Sequence, residues 1–130
     1  GFDLVLMQVN LKNGEAQWGS LNSNLMLVNE NNEVDIISKS KGFLHLDLEQ
    51  TEVAGGHLNI KGKRVVMCSD GLYDQIGEVS NKRLRMSGLI HWIESGQVFL
   101  ENKCGIDDLF ANWKGSQDQT DDATWVSFEL

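Results

Sequence analysis

Arg64-Val65-Val66-Met67-Cys68-Ser69-Asp70-Gly71-Leu72-Tyr73-Asp74-Gln75-Ile76-Gly77 is the stretch on which the fold turns. Residues 64–68 are nearly all apolar, too few for a helix, and read as a buried central strand. The run stops abruptly at Ser69-Asp70-Gly71. Upstream of it the chain reads as strands. An apolar run at residues 4–9 is closed by the turn signal Lys12-Asn13-Gly14, and residues 16–19 continue it as a hairpin. Residues 25–28 form a third strand, which Asn31-Asn32 turns toward a fourth at 34–37. Residues 39–56 are the least regular part, although Leu44, Leu46 and Leu48 alternate with polar residues as in a strand with one wet face. Residues 57–60 and the turn Lys61-Gly62-Lys63 lead into the central strand. Downstream the period changes. Leu84, Leu89, Ile90 and Ile93 have helical spacing and predict a helix over 81–94, stopped by Ser95-Gly96. Residues 97–103 are expected to form a second helix, and 106–113 a third ended by Gly115. A Thr-, Trp-, Val- and Phe-rich strand closes the chain at 124–130. Strands, then helices, then a last strand imply an α+β fold built on an antiparallel sheet.

Two acidic segments stand out against that frame. Ser69-Asp70-Gly71 sits where the buried strand stops, and Thr120-Asp121-Asp122-Ala123-Thr124 sits where the last strand starts. If the two strands are antiparallel neighbours, their acidic ends lie side by side. Carboxylates converging there would repel unless a cation joined them, and hard oxygen ligands of this kind collect Mg or Mn. The glycine after Asp70 permits a tight turn and leaves room beside the carboxylate. The plainer reading is that Ser-Asp-Gly is a common turn and that Asp-Asp opens a strand or caps a helix. Asp107-Asp108 starts a predicted helix, where capping and dipole compensation explain it.

The composition narrows the function classes. With 130 residues the chain has room for one domain, and 41% hydrophobic with 23% charged residues is ordinary for a globular protein. Asp plus Glu is 19 against 11 Lys plus Arg, a net charge of -8, which disfavours nucleic acid and anionic lipid as partners. The absence of proline excludes a Pro-rich linker. No segment approaches a membrane span, and the N-terminus has no signal-peptide pattern, so the expected location is cytoplasmic. The start at Gly1-Phe2-Asp3 without Met reads as a trimmed end. Cys68 and Cys104 have neither metal nor redox spacing and are expected as reduced thiols, a single disulfide being the alternative. His45, His57 and His91 share no ligand spacing. Trp18, Trp92, Trp113 and Trp125 are scattered through strands and helices and are expected to pack rather than to stack on a ligand. No Gly-rich phosphate loop, nucleophile elbow or Cys-His pattern is present.

Taken together, the motifs resemble a known family. Residues 65–77 resemble the "SDG-x-x-D-Q-x-G" segment of bacterial SpoIIE-type phosphatases, which belong to the metal-dependent PPM superfamily, the protein phosphatase 2C fold. Lys82-Arg83-Leu84 resembles the basic-hydrophobic start of a helix in that family. Trp113-Lys114-Gly115 followed by Gln119-Thr120-Asp121-Asp122 resembles its "W-x-G-x-x-x-Q-x-D-D" ending, and Gly1-Phe2-Asp3 with the apolar strand after it resembles "G-M-D-I-A-L". The four segments occur in the family's order over nearly the whole chain.

The resemblance implies an antiparallel β-sandwich flanked by helices, holding two Mn or Mg ions at its edge. A water or hydroxide between the ions attacks a phosphoserine or phosphothreonine. By the motif match, Asp70 and Asp121 would be metal ligands. Asp122 would position neighbours, Gly71 would make space, and Asp74 and Gln75 would be structural or support the ligands from behind. Lys63 departs from a common family Asp at the surface. The larger departure is that the family's early acidic residue and its Asp-Gly-His-Gly-type motif have no counterpart here. Residues 1–130 therefore resemble the C-terminal portion of a single catalytic domain. Such a piece is expected to bind metal weakly, to have little or no phosphatase activity, and to self-associate through bare edges. The implied substrate of the intact enzyme is a phosphorylated anti-sigma-factor antagonist or a similar phosphoserine protein. The alternative is a pseudophosphatase that binds such partners without chemistry.

Overall fold

The computed structural model describes residues 4–21, 23–37, 46–48, 51–100 and 105–130. Gly1-Phe2-Asp3, Leu44, His45, Cys104 and the end of the expected second helix lie outside the described residues.

Strands β1 (Leu4–Val9), β2 (Glu15–Leu21), β5 (Leu46–Leu48) and β6 (Thr51–Asn59) form one antiparallel sheet in the order β1-β2-β6-β5. Strands β3 (Asn24–Val28), β4 (Val34–Ile36), β7 (Arg64–Cys68) and β8 (Trp125–Glu129) form the other, in the order β4-β3-β7-β8. Helices α1 (Asp70–Asp74), α2 (Arg85–Glu94) and α3 (Ile106–Lys114) lie between β7 and β8 in sequence.

The side-chain alternation of β3 and β7 explains the layering. Leu25, Leu27 and Val65 point toward the first sheet and pack with Ala16, Trp18, Ala54 and Ile60. Met26, Val28, Val66 and Cys68 point the other way and pack with Leu72, Leu84, Leu89, Ile93 and Val98. The central strands are covered on both faces, which is why they read as continuous apolar runs although the sheet is antiparallel. The outcome is an α+β sandwich with the described helices on the outer face of the second sheet.

Three expectations need correction. The helix predicted over 81–94 begins only at Arg85. The backbone of the preceding residues is already engaged: Ile76 bridges Arg83, Gly77 N–H donates to Lys82 O (3.0 Å) and Leu84 N–H donates to Gln75 O (3.0 Å). The second helix is a single 3-10 turn, Gln97–Phe99, because Leu100 is already extended. The strand read at 57–60 is longer, Thr51–Asn59, and runs through Gly55-Gly56. At Gly55 an added Cβ would lie 3.0 Å from Trp18 O on β2, so this glycine serves close approach within the sheet, not a break.

Candidate metal centre at the paired acidic turns

The pairing of β7 with β8 decides the geometry. The strands are antiparallel, with Cys68 opposite Trp125 at the end where β7 stops and β8 starts. Ser69 extends the contact: its N–H donates to Thr124 O (3.1 Å), its Oγ–H donates to Asp122 O (2.9 Å), and its Oγ accepts from Thr124 N–H (2.9 Å). Ser69 holds the position before α1, but its hydroxyl staples the closing loop instead of capping the helix. A Cβ built on Gly71 would clash with Asp122 O and lie 2.9 Å from Asp122 C and 3.3 Å from Asp121 C. Gly71 does not have a positive φ. Its glycine identity answers the passage of the closing loop across it, not a left-handed turn.

The Asp70 and Asp121-Asp122 backbones are thereby brought together, as the antiparallel pairing required. Asp70 is in the first turn of α1. Asp121 Oδ1 accepts from Asp122 N–H (2.8 Å). Neither Asp70 nor Asp121 makes an ion pair among the described residues. One neighbour registers the charge: burial, and then the Asp70 carboxylate, push the Cys68 thiol from 9.0 up to about 12, which leaves it protonated and a poor nucleophile. The backbones that carry Asp70 and Asp121 meet at Gly71, and carboxylates are the donor type that hard divalent cations take. Among the described residues no group of three or more His, Cys, Asp or Glu side chains could hold a metal ion.

The remaining motif residues form the support. Gln75 is 3% exposed. Its Nε2 donates to Ile76 O (2.9 Å) and Asp118 O (3.1 Å), and its backbone O accepts from Trp113 Nε1 (2.9 Å). The Trp113 ring lies so close to Gly77 that a Cβ there would be 2.6 Å from it. Glu78 N–H donates to Trp113 O (3.1 Å), and the Ser116 hydroxyl donates to the Glu78 carboxylate. The two segments that resemble "D-Q-x-G" and "W-x-G" are thus one packed unit. Asp74 stands apart from it, meeting Arg83 at 3.4 Å in a solvent-exposed pair, which contributes little. The roles of Ser69, Gly77 and Trp113 escaped the sequence reading. The spacing of Trp113 and Gly115 from Asp121-Asp122 marked the segment, but nothing in sequence shows which backbone an indole N–H will reach.

The other tryptophans pack as well. Trp18 is buried between the sheets, Trp92 meets Trp113 edge-on at 6.3 Å, and Trp125 lies 6.3 Å from Phe99. His57 and His91 are exposed on β6 and α2.

No family model matches the sequence, and no curated protein matches it. Solved structures do. The chain is similar to the SiaA-PP2C domain of Pseudomonas aeruginosa, with TM-score 0.74 and 14% identity over 98% of this chain and 51% of that one. It is also similar to the phosphatase domain of the cell fate determinant SpoIIE from Bacillus subtilis. A Mn-presoaked form of that domain gives TM-score 0.66 at 15% identity, covering 98% of this chain and 56% of that one. A second structure of the same domain gives TM-score 0.63 at 16% identity, covering 98% and 57%. The chain spans about half the length of the structures it matches. With its two antiparallel sheets, its helices and its β7–β8 junction, it has the fold of part of a PP2C-type phosphatase domain.

Proposed function

We propose that this chain is the C-terminal part of a metal-dependent PPM-type protein serine/threonine phosphatase of bacterial signalling, and that it is inactive by itself. The observation that carries the reading is the contact of Gly71 with the Asp121-Asp122 backbone, which brings two separate acidic motifs to one place. Asp70 and Asp121 would hold Mn or Mg, two ions in the intact domain. When bound, such ions supply an activated water and stabilise charge on the phosphoryl oxygens. The chain's own part is to present hard oxygen donors from the end of a buried strand and from the loop before β8. Asp122 and Gln75 hold that loop, and Gly71 leaves room for it.

Two carboxylates fill only part of an octahedral shell, which supports inactivity of the chain alone. The substrate class is a phosphoserine protein such as an anti-sigma-factor antagonist, supported by the SpoIIE-type motifs and the fold likeness. A cytoplasmic site of action belongs to the same reading. Among the described residues no helix is long and apolar enough to cross a membrane.

The test is a Mn titration of the chain, followed calorimetrically, together with Asp70→Asn and Asp121→Asn. Each substitution is expected to weaken binding at least as much as the roughly 10–100-fold seen when only an outer partner of a ligand is lost. The chain is expected to leave a chromogenic phosphate intact. Unchanged Mn binding in both variants, or turnover matching that of a complete PPM domain, would sink the proposal.

A further inference from the structure

We propose that Gln75 is a positioning residue: its buried side-chain amide, on a backbone held by Trp113, fixes the loop that carries Asp121 against the turn that carries Asp70. This rests on the reading of Asp70 and Asp121 as a cation-holding pair and adds to it a device that sets their spacing.

The two residues flanking α1 grip the two ends of the closing loop. Before α1, Ser69 Oγ donates to Asp122 O at 2.9 Å. After α1, Gln75 Nε2 donates to Asp118 O at 3.1 Å. Asp70 lies in the helix between the two grips, and Asp121 lies in the loop between the two gripped carbonyls. Sliding the loop past Asp70 would break one grip or the other.

The Gln75 end is the stiffer one. Gln75 and Ser20 are the buried polar side chains among the described residues, and a buried amide donor that loses its acceptor is heavily penalised. The Gln75 backbone is fixed independently, because its carbonyl accepts from both Trp113 Nε1 (2.9 Å) and Leu84 N–H (3.0 Å). Trp113 cannot swing away freely, since its ring fills the space left by Gly77 and meets Trp92 edge-on. From Trp113 the chain passes Gly115, and Lys114 Nζ donates to Gly115 O (3.3 Å) and Gln117 O (3.1 Å). The loop beyond is thus anchored at its root as well. Gln119 Nε2 donates to Asp121 O (2.9 Å), which stiffens the loop internally. Partners that orient a ligand from behind commonly set metal affinity without touching the metal.

The experiment uses the 130-residue chain, labelled for amide NMR. Gln75→Met retains an unbranched side chain of similar length and removes the donor. Trp113→Phe retains an aromatic ring and removes the indole N–H. Amide hydrogen exchange at residues 118–122 is expected to rise in both variants, with exchange in β3 and β7 unchanged. Addition of Mn alone is expected to broaden the amides of Asp70, Gly71, Asp121 and Asp122 together in the unsubstituted chain. In Gln75→Met that broadening should need roughly tenfold more Mn, and the Asp121-Asp122 amides should weaken relative to Asp70. Broadening that follows the same Mn dependence at both turns in both variants overturns the inference, as does unchanged loop exchange. If Gln75→Met loosens β3 and β7 as well, Trp113→Phe decides between a latch and a general core role. No broadening in the unsubstituted chain would instead overturn the cation-pair reading, and loop exchange would then decide the latch alone.

Discussion

At position 71 the closing loop crosses the backbone with no room for a side chain, because a Cβ would clash with Asp122 O. Gly71→Ala must push the Asp121-Asp122 backbone outward or shift α1. Overpacking of this kind costs about 1–3 kcal/mol, and here the displaced atoms belong to the proposed site. The expected outcome is a lower thermal midpoint together with weaker Mn binding than in the unsubstituted chain. Gly62→Ala is the matched control: a Cβ there meets nothing within 4 Å, while its φ of +71° makes it a strained substitution in its own right. It should lower stability and leave Mn binding unchanged. At this scale the adjacency of the Asp70-Gly71 turn and the Asp121-Asp122 loop was legible, because one ends a buried strand and the other opens the strand paired with it. The sequence was silent on Ser69, because the same hydroxyl could cap α1 or reach across to β8, and tertiary pairing alone decides between them.

At the scale of elements, β3 and β7 carry the stability because each face of each strand is covered. Leu25 and Met26 are adjacent residues on opposite faces, both fully buried, one against the first sheet and one against the helices. Leu25→Ala and Met26→Ala are each expected to cost about 2–5 kcal/mol. Leu6 on β1 is 63% exposed, and Leu6→Ala should stay within about 0.5 kcal/mol. Urea midpoints of the three variants check the contrast. Equal effects at Leu6 and Leu25 would mean that the outer face of the first sheet is covered too. Apolar runs made β3 and β7 readable in advance, and the turn at Asn31-Asn32 made β4 readable. The strand through Gly55-Gly56 was not, since a pair of glycines usually marks a break, whereas here Gly55 lets the strand approach the Trp18 carbonyl of β2. The start of α2 was missed for a related reason. Residues 81–84 have helical spacing, but their backbone groups are taken by residues 75–77.

For the whole molecule, the open edges matter more than the interior. Among the described residues each sheet ends in strands paired on one side only, β1 and β5 in one and β4 and β8 in the other. An apolar groove runs beside two of these edges, lined by Leu4, Val5, Met67, Cys68, Thr124 and Val126. Leu4 is 40% exposed and Val126 46%. Edges of this kind template pairing with another chain, whereas a net charge of -8 opposes indiscriminate aggregation. The balance favours a limited, edge-directed association of the chain with itself. Light scattering is expected to show a mass that rises with concentration above 14.6 kDa and falls back toward the monomer as the chain is diluted. Leu6→Lys places a charge on the β1 edge and should shift the equilibrium toward the monomer without lowering the urea midpoint, because Leu6 is not part of either core. A constant monomer mass at every concentration would overturn the expected association.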